Sequence, residues 1–96
     1  MSRKALGVIE VKSVGLLTQA MDVMAKTADF DFLSYEMYGS KQVAGFIRGD
    51  AAACTAAIAA GKTFVDQNAP CALVMAFVIP EPHEKLVQQY PIVRWM

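Results

Sequence analysis

Residues 36–50 read EMYGSKQVAGFIRGD. Two apolar stretches flank a small turn, Tyr38-Gly39-Ser40-Lys41. On its left, Asp29–Met37 (DFDFLSYEM) alternates Phe30, Phe32 and further residues at a two-residue period. On its right, Gln42–Arg48 (QVAGFIR) reads as a second strand, so the pair predicts a β-hairpin. A hairpin at mid-chain decides the fold, because each flank reads as one helix and one more strand.

On the N-terminal side, Ala5–Lys12 (ALGVIEVK) is β-rich and Ser13 is placed to cap a helix beginning at Val14. Val14, Leu17, Met21 and Met24 recur at helical spacing with Ala20 and Ala28 beside them, which predicts an amphipathic helix over Val14–Ala28. On the C-terminal side, Gly49 ends the hairpin and Asp50 suits a helix N-cap. Ala51–Ala60 is almost all small, and helical character resumes at Lys62–Gln67, so Gly61 is read as a close-packing position. Asn68-Ala69-Pro70 is a turn. Cys71–Ile79 (CALVMAFVI) is an unbroken apolar run that suits a central strand buried on both faces. Pro80-Glu81-Pro82 stops the sheet, and a short helix and tail complete the chain. The order β-α-β-β-α-β predicts an α+β, ferredoxin-like split βαβ fold. We expect one domain over residues 1–96, with a core over about 5–83 and a C-terminal helix and tail over 84–96.

The chain has 96 residues, 55% of them hydrophobic, with a mean hydropathy of +0.34. A domain this small cannot hide that much apolar surface by itself, so an oligomer is expected. Nine basic and nine acidic residues cancel. Phosphate recognition needs a cationic surplus, so nucleic acid is not expected as a partner, and neither is an anionic membrane. No signal peptide is read at the N-terminus, and the longest apolar run is strand-sized, which predicts a cytoplasmic protein. Cys54 and Cys71 both read as buried reduced thiols. His83 is the single histidine and has no metal-ligand partner. No nucleophile with a base and an orienter converges, so no catalytic residue, metal or cofactor is expected.

ALGVIEVKSVGLLTQAMDVMAKTA, YEMYGSKQVAGFIRGD, AAIAAGK and VIPEPH, in that order and spacing, resemble bacterial microcompartment shell proteins of the single-domain, hexamer-forming type. The resemblance runs from about Ala5 to His83. It implies a structural, non-enzymatic tile: a cyclic hexamer that meets other shell proteins at its edges, around encapsulated enzymes. It also implies a central pore for small polar metabolites, lined by Gly39, Ser40 and Lys41. The family commonly has Gly-Ser-Gly in this loop. Lys41 replaces the last glycine, so either a ring of ammonium groups favours anions or the side chain turns to solvent or to Glu36. The resemblance places Lys26 and Glu81 at the disc edge, and Asp29, by its spacing from Lys26, and His83, after two prolines, join them as candidate edge contacts. Glu81 stands where the family usually has arginine; it either pairs with Lys26 across the edge or weakens tiling. Asp29, one turn beyond Lys26, is a second candidate partner for it. Glu10 and Lys12 on the first strand read either as cross-subunit salt-bridge partners or as exposed polar strand positions, and the tail PIVRWM is less family-like. The alternative from fold alone is a ferredoxin-like, oligomeric module that senses a small molecule between subunits.

Overall fold

A computed structural model describes residues 5–39, 41–84 and 86. The elements are β1 (Ala5–Val11), α1 (Val14–Thr27), β2 (Asp31–Tyr38), β3 (Gln42–Gly49), α2 (Ala51–Asn68) and β4 (Leu73–Ile79). The expected element order is therefore the observed one. The C-terminal helix and tail predicted over 84–96 lie, apart from Glu84 and Leu86, outside the described residues.

The four strands form one sheet in the order β2-β3-β1-β4, each neighbouring pair antiparallel. Each helix connects two parallel strands with one strand left between them: α1 links β1 to β2 across β3, and α2 links β3 to β4 across β1. Both crossovers run over the same face and give one helical layer on one sheet. The odd-numbered residues of β1, from Ala5 to Val11, face that layer with Val43 and Ile47. α1 answers with Leu17, Ala20 and Met24, and α2 with Cys54, Ala57, Ile58, Gly61 and Val65, both at the three-and-four spacing of a helix stripe. The alanine-rich sequence of α2 combines high helix propensity with a thin profile. Gly61 lies inside α2, fully packed: a Cβ there would stand 2.6 Å from Met24 Sδ.

Local signals decide the ends. The Ser13 hydroxyl accepts the Leu16 N–H at 3.0 Å, the N-cap contact expected of it. Asp50 occupies the N-cap of α2 but makes no side-chain cap bond, and its buried Oδ1 has no hydrogen-bond partner. The position of that cap is legible in the sequence; its side-chain geometry is not.

Three other expectations are corrected. The apolar run at the end of the chain is an edge strand, not a central one: the central places go to β1 and β3, and Val74, Met75 and Phe77 are exposed. The split βαβ topology forces this, since each crossover must step over a strand already in place. Cys71 is exposed, in the turn before β4 at φ 70°, whereas Cys54 is buried as expected. Glu10 is not an exposed strand position; it is 8% exposed, on the sheet face away from the helices.

Candidate functional site: one turn, two sheet edges and a charged rim

The β2–β3 turn is fixed by its closing pair. Tyr38 stands opposite Gln42, so the loop is the three residues 39–41. Gly39 has φ +73°, a left-handed conformation that costs glycine little and other residues more. Lys41 is exposed at the other side of the loop. Ser40, the middle of the expected pore-lining trio, lies outside the described residues. The turn thus presents backbone and one cationic side chain beyond the end of the sheet.

The strand registers give the protomer two distinct ends. Met37, Val43, Val11 and Leu73 form one row across the sheet, at the end that carries the turn. Asp31, Arg48, Leu6 and Ile79 form the row at the other end. α1 finishes and β4 finishes at that second end, so Lys26, Asp29, Glu81 and His83 all lie opposite the turn. They occupy two corners rather than one cluster. Lys26 and Asp29 line a shallow depression with Phe30 and Phe32, beside β2. Glu81 and His83, both exposed, come after β4 on the far side of the sheet. The two corners are three strand spacings apart, about 14 Å. A contact between Glu81 and Lys26 therefore needs a second copy of the chain.

Within the chain, Lys26 Nζ meets Asp22 Oδ2 at 2.8 Å, one helical turn back. Both side chains are well exposed, so the pair contributes only about 0.3–0.5 kcal/mol. It holds Lys26 loosely and leaves it available for an exchange of partners.

Both edges of the sheet are apolar and exposed. On β2 these residues are Phe32, Tyr35, Met37 and Tyr38; on β4 they are Val74, Met75 and Phe77. Tyr35 and Met37 pair with Gly45 and Val43, which puts them on the helix-facing side. The helices lie over β1, β3 and β4, however, so β2 overhangs the layer as an apolar ledge. The two-residue period reveals the facing of Tyr35 and Met37. No sequence signal reports how far sideways a helix layer extends, so the ledge is not readable from the chain.

Among the described residues, no group of three or more His, Cys, Asp or Glu is placed to hold a metal, and no helix is long and apolar enough to cross a membrane.

Comparison with known proteins agrees with this geometry. The BMC domain family model matches residues 5–82. The bacterial microcompartment shell protein EutM of Salmonella typhimurium is 36% identical over 89 residues, covering 93% of this chain and 91% of that protein. The carboxysome shell protein CcmK2 of Thermosynechococcus vestitus is 32% identical over 88 residues, covering 92% of this chain and 86% of that protein. The crystal structure of a microcompartments protein from Desulfitobacterium hafniense DCB superposes with a TM-score of 0.74 at 28% identity. That match covers 91% of this chain, and this chain spans about half (46%) of the other.

Proposed function

The chain belongs to the BMC domain family of bacterial microcompartment shell proteins, and from that premise we propose that it works as a six-membered ring with a central opening, tiled edge to edge into a shell facet. Its role is structural and it is not an enzyme. It assembles with other shell proteins in a microcompartment.

One observation carries the ring. The two exposed apolar edges are unlike: β2 offers an overhanging aromatic ledge, and β4 an apolar strand whose Met75 and Phe77 line a depression on the face away from the helices. A self-complementary dimer would pair a patch with its own copy. Two unlike patches on opposite sides instead favour a head-to-tail contact, which closes into a ring when the rotation allows. With β2 and β4 at the contacts, the turn end can point to the axis and the charged end to the rim. Gly39, Ser40 and Lys41 then surround the opening, and Lys26, Asp29, Glu81 and His83 face the neighbouring ring. The opening passes small polar metabolites. Light scattering on the purified protein, with negative-stain imaging of the same peak, tests this. A mass of six chains and a ring with a central hole are expected; a stable monomer or dimer ends the proposal.

Two substitutions separate opening from rim. Lys41→Gly removes the cation nearest the axis. We expect iodide to reach a dye trapped inside assembled shells more slowly, on the order of tenfold, since focused charge of this kind changes local ion concentration by that much or more. Equal entry rates would show that Lys41 does not set anion passage. Glu81→Arg restores the guanidinium common in the family, with five donors in place of an acceptor-only carboxylate. Larger sheets or tubes at the same protein concentration are expected. Identical assembly across a range of salt concentrations would show that this position does not limit tiling.

A further inference from the structure

Two side chains that find no partner within the single chain complement each other. On the sheet face away from the helices, Leu6, Phe46, Met75 and Phe77 line a depression, and Glu10 is set among them. Glu10 is nine-tenths buried, and among the described residues it is the one charged group lining the depression. Among the described residues, no hydrogen bond or ion pair meets its carboxylate. A carboxylate in apolar surroundings is costly unless a donor meets it. The other side chain is Tyr35, 52% exposed on the β2 ledge, whose hydroxyl also has no partner among the described residues. Tyrosine joins an apolar ring to one hydroxyl donor, which complements an apolar depression with one acceptor. Tyr38, beside it on β2, already lines the depression of its own chain.

We propose that Tyr35 of each protomer enters its neighbour's depression and donates its hydroxyl to the neighbour's Glu10, an inference that rests on the proposed ring and names the pair that anchors its contact. Facing supports it. Tyr35 pairs with Gly45 and so looks to the helix side of the sheet, where β2 overhangs the helical layer. Glu10 pairs with Ala44 and Met75 and looks the opposite way. Copies related by a head-to-tail rotation keep the same face up, so the underside of one ledge meets the upper face of the next sheet. Two patches on the same face could not overlap in this way. Height supports it as well. Tyr35, Gly45 and Ile9 form one row across the sheet, and Glu10 lies in the next row towards the turn. The two side chains therefore differ by one residue, about 3.4 Å, in distance from the turn end. In a ring whose axis lies beyond the turn, similar distance means similar radius. The depression is also at the right edge: Met75 and Phe77 of β4 form one of its walls, on the side that receives the neighbour's β2. Those walls are part of the ring contact itself, and Glu10 gives that contact its polar anchor.

A double-mutant cycle on the full chain tests the pair, with light scattering across a dilution series reporting how firmly the ring holds together. Tyr35→Phe keeps the ring of the side chain and removes the donor, leaving the neighbour's carboxylate buried without one. Each contact should weaken about tenfold or more, as expected for a hydrogen bond to a charged group. Glu10→Leu removes the acceptor and strands the tyrosine hydroxyl, with a similar loss. Combined, the two substitutions leave apolar groups on both sides, and the ring should recover most of its resistance to dilution. Glu10→Gln keeps an acceptor and should weaken the contact less than Glu10→Leu. Circular dichroism checks the fold of each variant; Tyr35 is exposed in the single chain, so Tyr35→Phe stays informative even if a change at Glu10 disturbs folding. A Tyr35→Phe ring as firm as the wild type, or losses that simply add in the double variant, would overturn the pairing while leaving the ring in place. A wild-type chain that forms no ring would overturn both.

Discussion

Met37→Asp should reduce the assembled protein to monomers while leaving each monomer folded. Met37 is 52% exposed in the single chain, on the ledge where β2 overhangs the helices. A carboxylate there stays hydrated in the monomer, and the cost is that of an unfavourable strand residue, about 1 kcal/mol or less. In the proposed ring, a neighbour would cover the ledge. Each of the repeated contacts then takes an unpaired charge out of water, which costs several kcal/mol. A penalty of about 3 kcal/mol weakens one contact more than a hundredfold. Light scattering should report the mass of one chain, with an unchanged far-ultraviolet spectrum. Met37→Leu keeps volume and polarity and should keep the ring. A Met37→Asp protein that retains the full assembled mass would place the subunit contact somewhere other than this ledge.

This ledge also marks the boundary of what the chain's pattern reveals. The hairpin, both helices and the element order come from local chemistry: the two-residue period around Tyr38–Lys41, the helical stripe of Leu17, Ala20 and Met24, and the Ser13 cap are each decided by near neighbours in sequence. The apolar run at Leu73–Ile79 is different. Its composition says that it will be covered, but not by what. It reads as a central strand, yet topology puts it at the edge, where in the proposed ring a neighbouring copy would bury it. Glu10 departs from expectation for a related reason. Alternation puts it on the face away from the helices, but that face is apolar and concave rather than open to water. The charged end of the protomer is half legible. Lys26 is exposed at the end of α1 as expected, and its ion pair with Asp22, four residues earlier, obeys the ordinary helix spacing. That Lys26 and Glu81 lie at the same end but on opposite corners emerges only from the sheet order.

Gly61→Leu should unfold the protein or come close to it, although leucine is the far better helix former. Intrinsic propensity alone favours replacing a mid-helix glycine by about 1 kcal/mol. Packing decides the other way. A Cβ at residue 61 would stand 2.6 Å from Met24 Sδ, 3.0 Å from Met24 Cγ and 3.1 Å from Ile9 Cδ1. Met24 and Ile9 are both fully buried, so neither can swing into solvent to make room. Even alanine therefore meets an overpacking cost of about 1–3 kcal/mol, which cancels or exceeds its propensity gain. Leucine adds three more carbons between α1, α2 and the sheet. We expect a loss of about 3 kcal/mol or more, which at about 4–8 °C per kcal/mol lowers the melting temperature by well over ten degrees. Gly45 supplies the contrast. A Cβ there would meet Met21 Cε at 2.5 Å, but that atom is the free end of a half-buried side chain and can move aside, which leaves the 3.1 Å approach to buried Leu17 Cδ1 as the remaining cost. Gly45→Ala should therefore be milder than its distance suggests. If Met24 is what resists, Met24→Ala should recover part of the stability lost in Gly61→Leu, as a coupling between contacting residues in a double-mutant cycle. Additive losses in that cycle, or a Gly61→Leu protein as stable as the wild type, would mean that α1 and α2 can part to admit the side chain, and that the closeness of the two helices is not what selects glycine at this position.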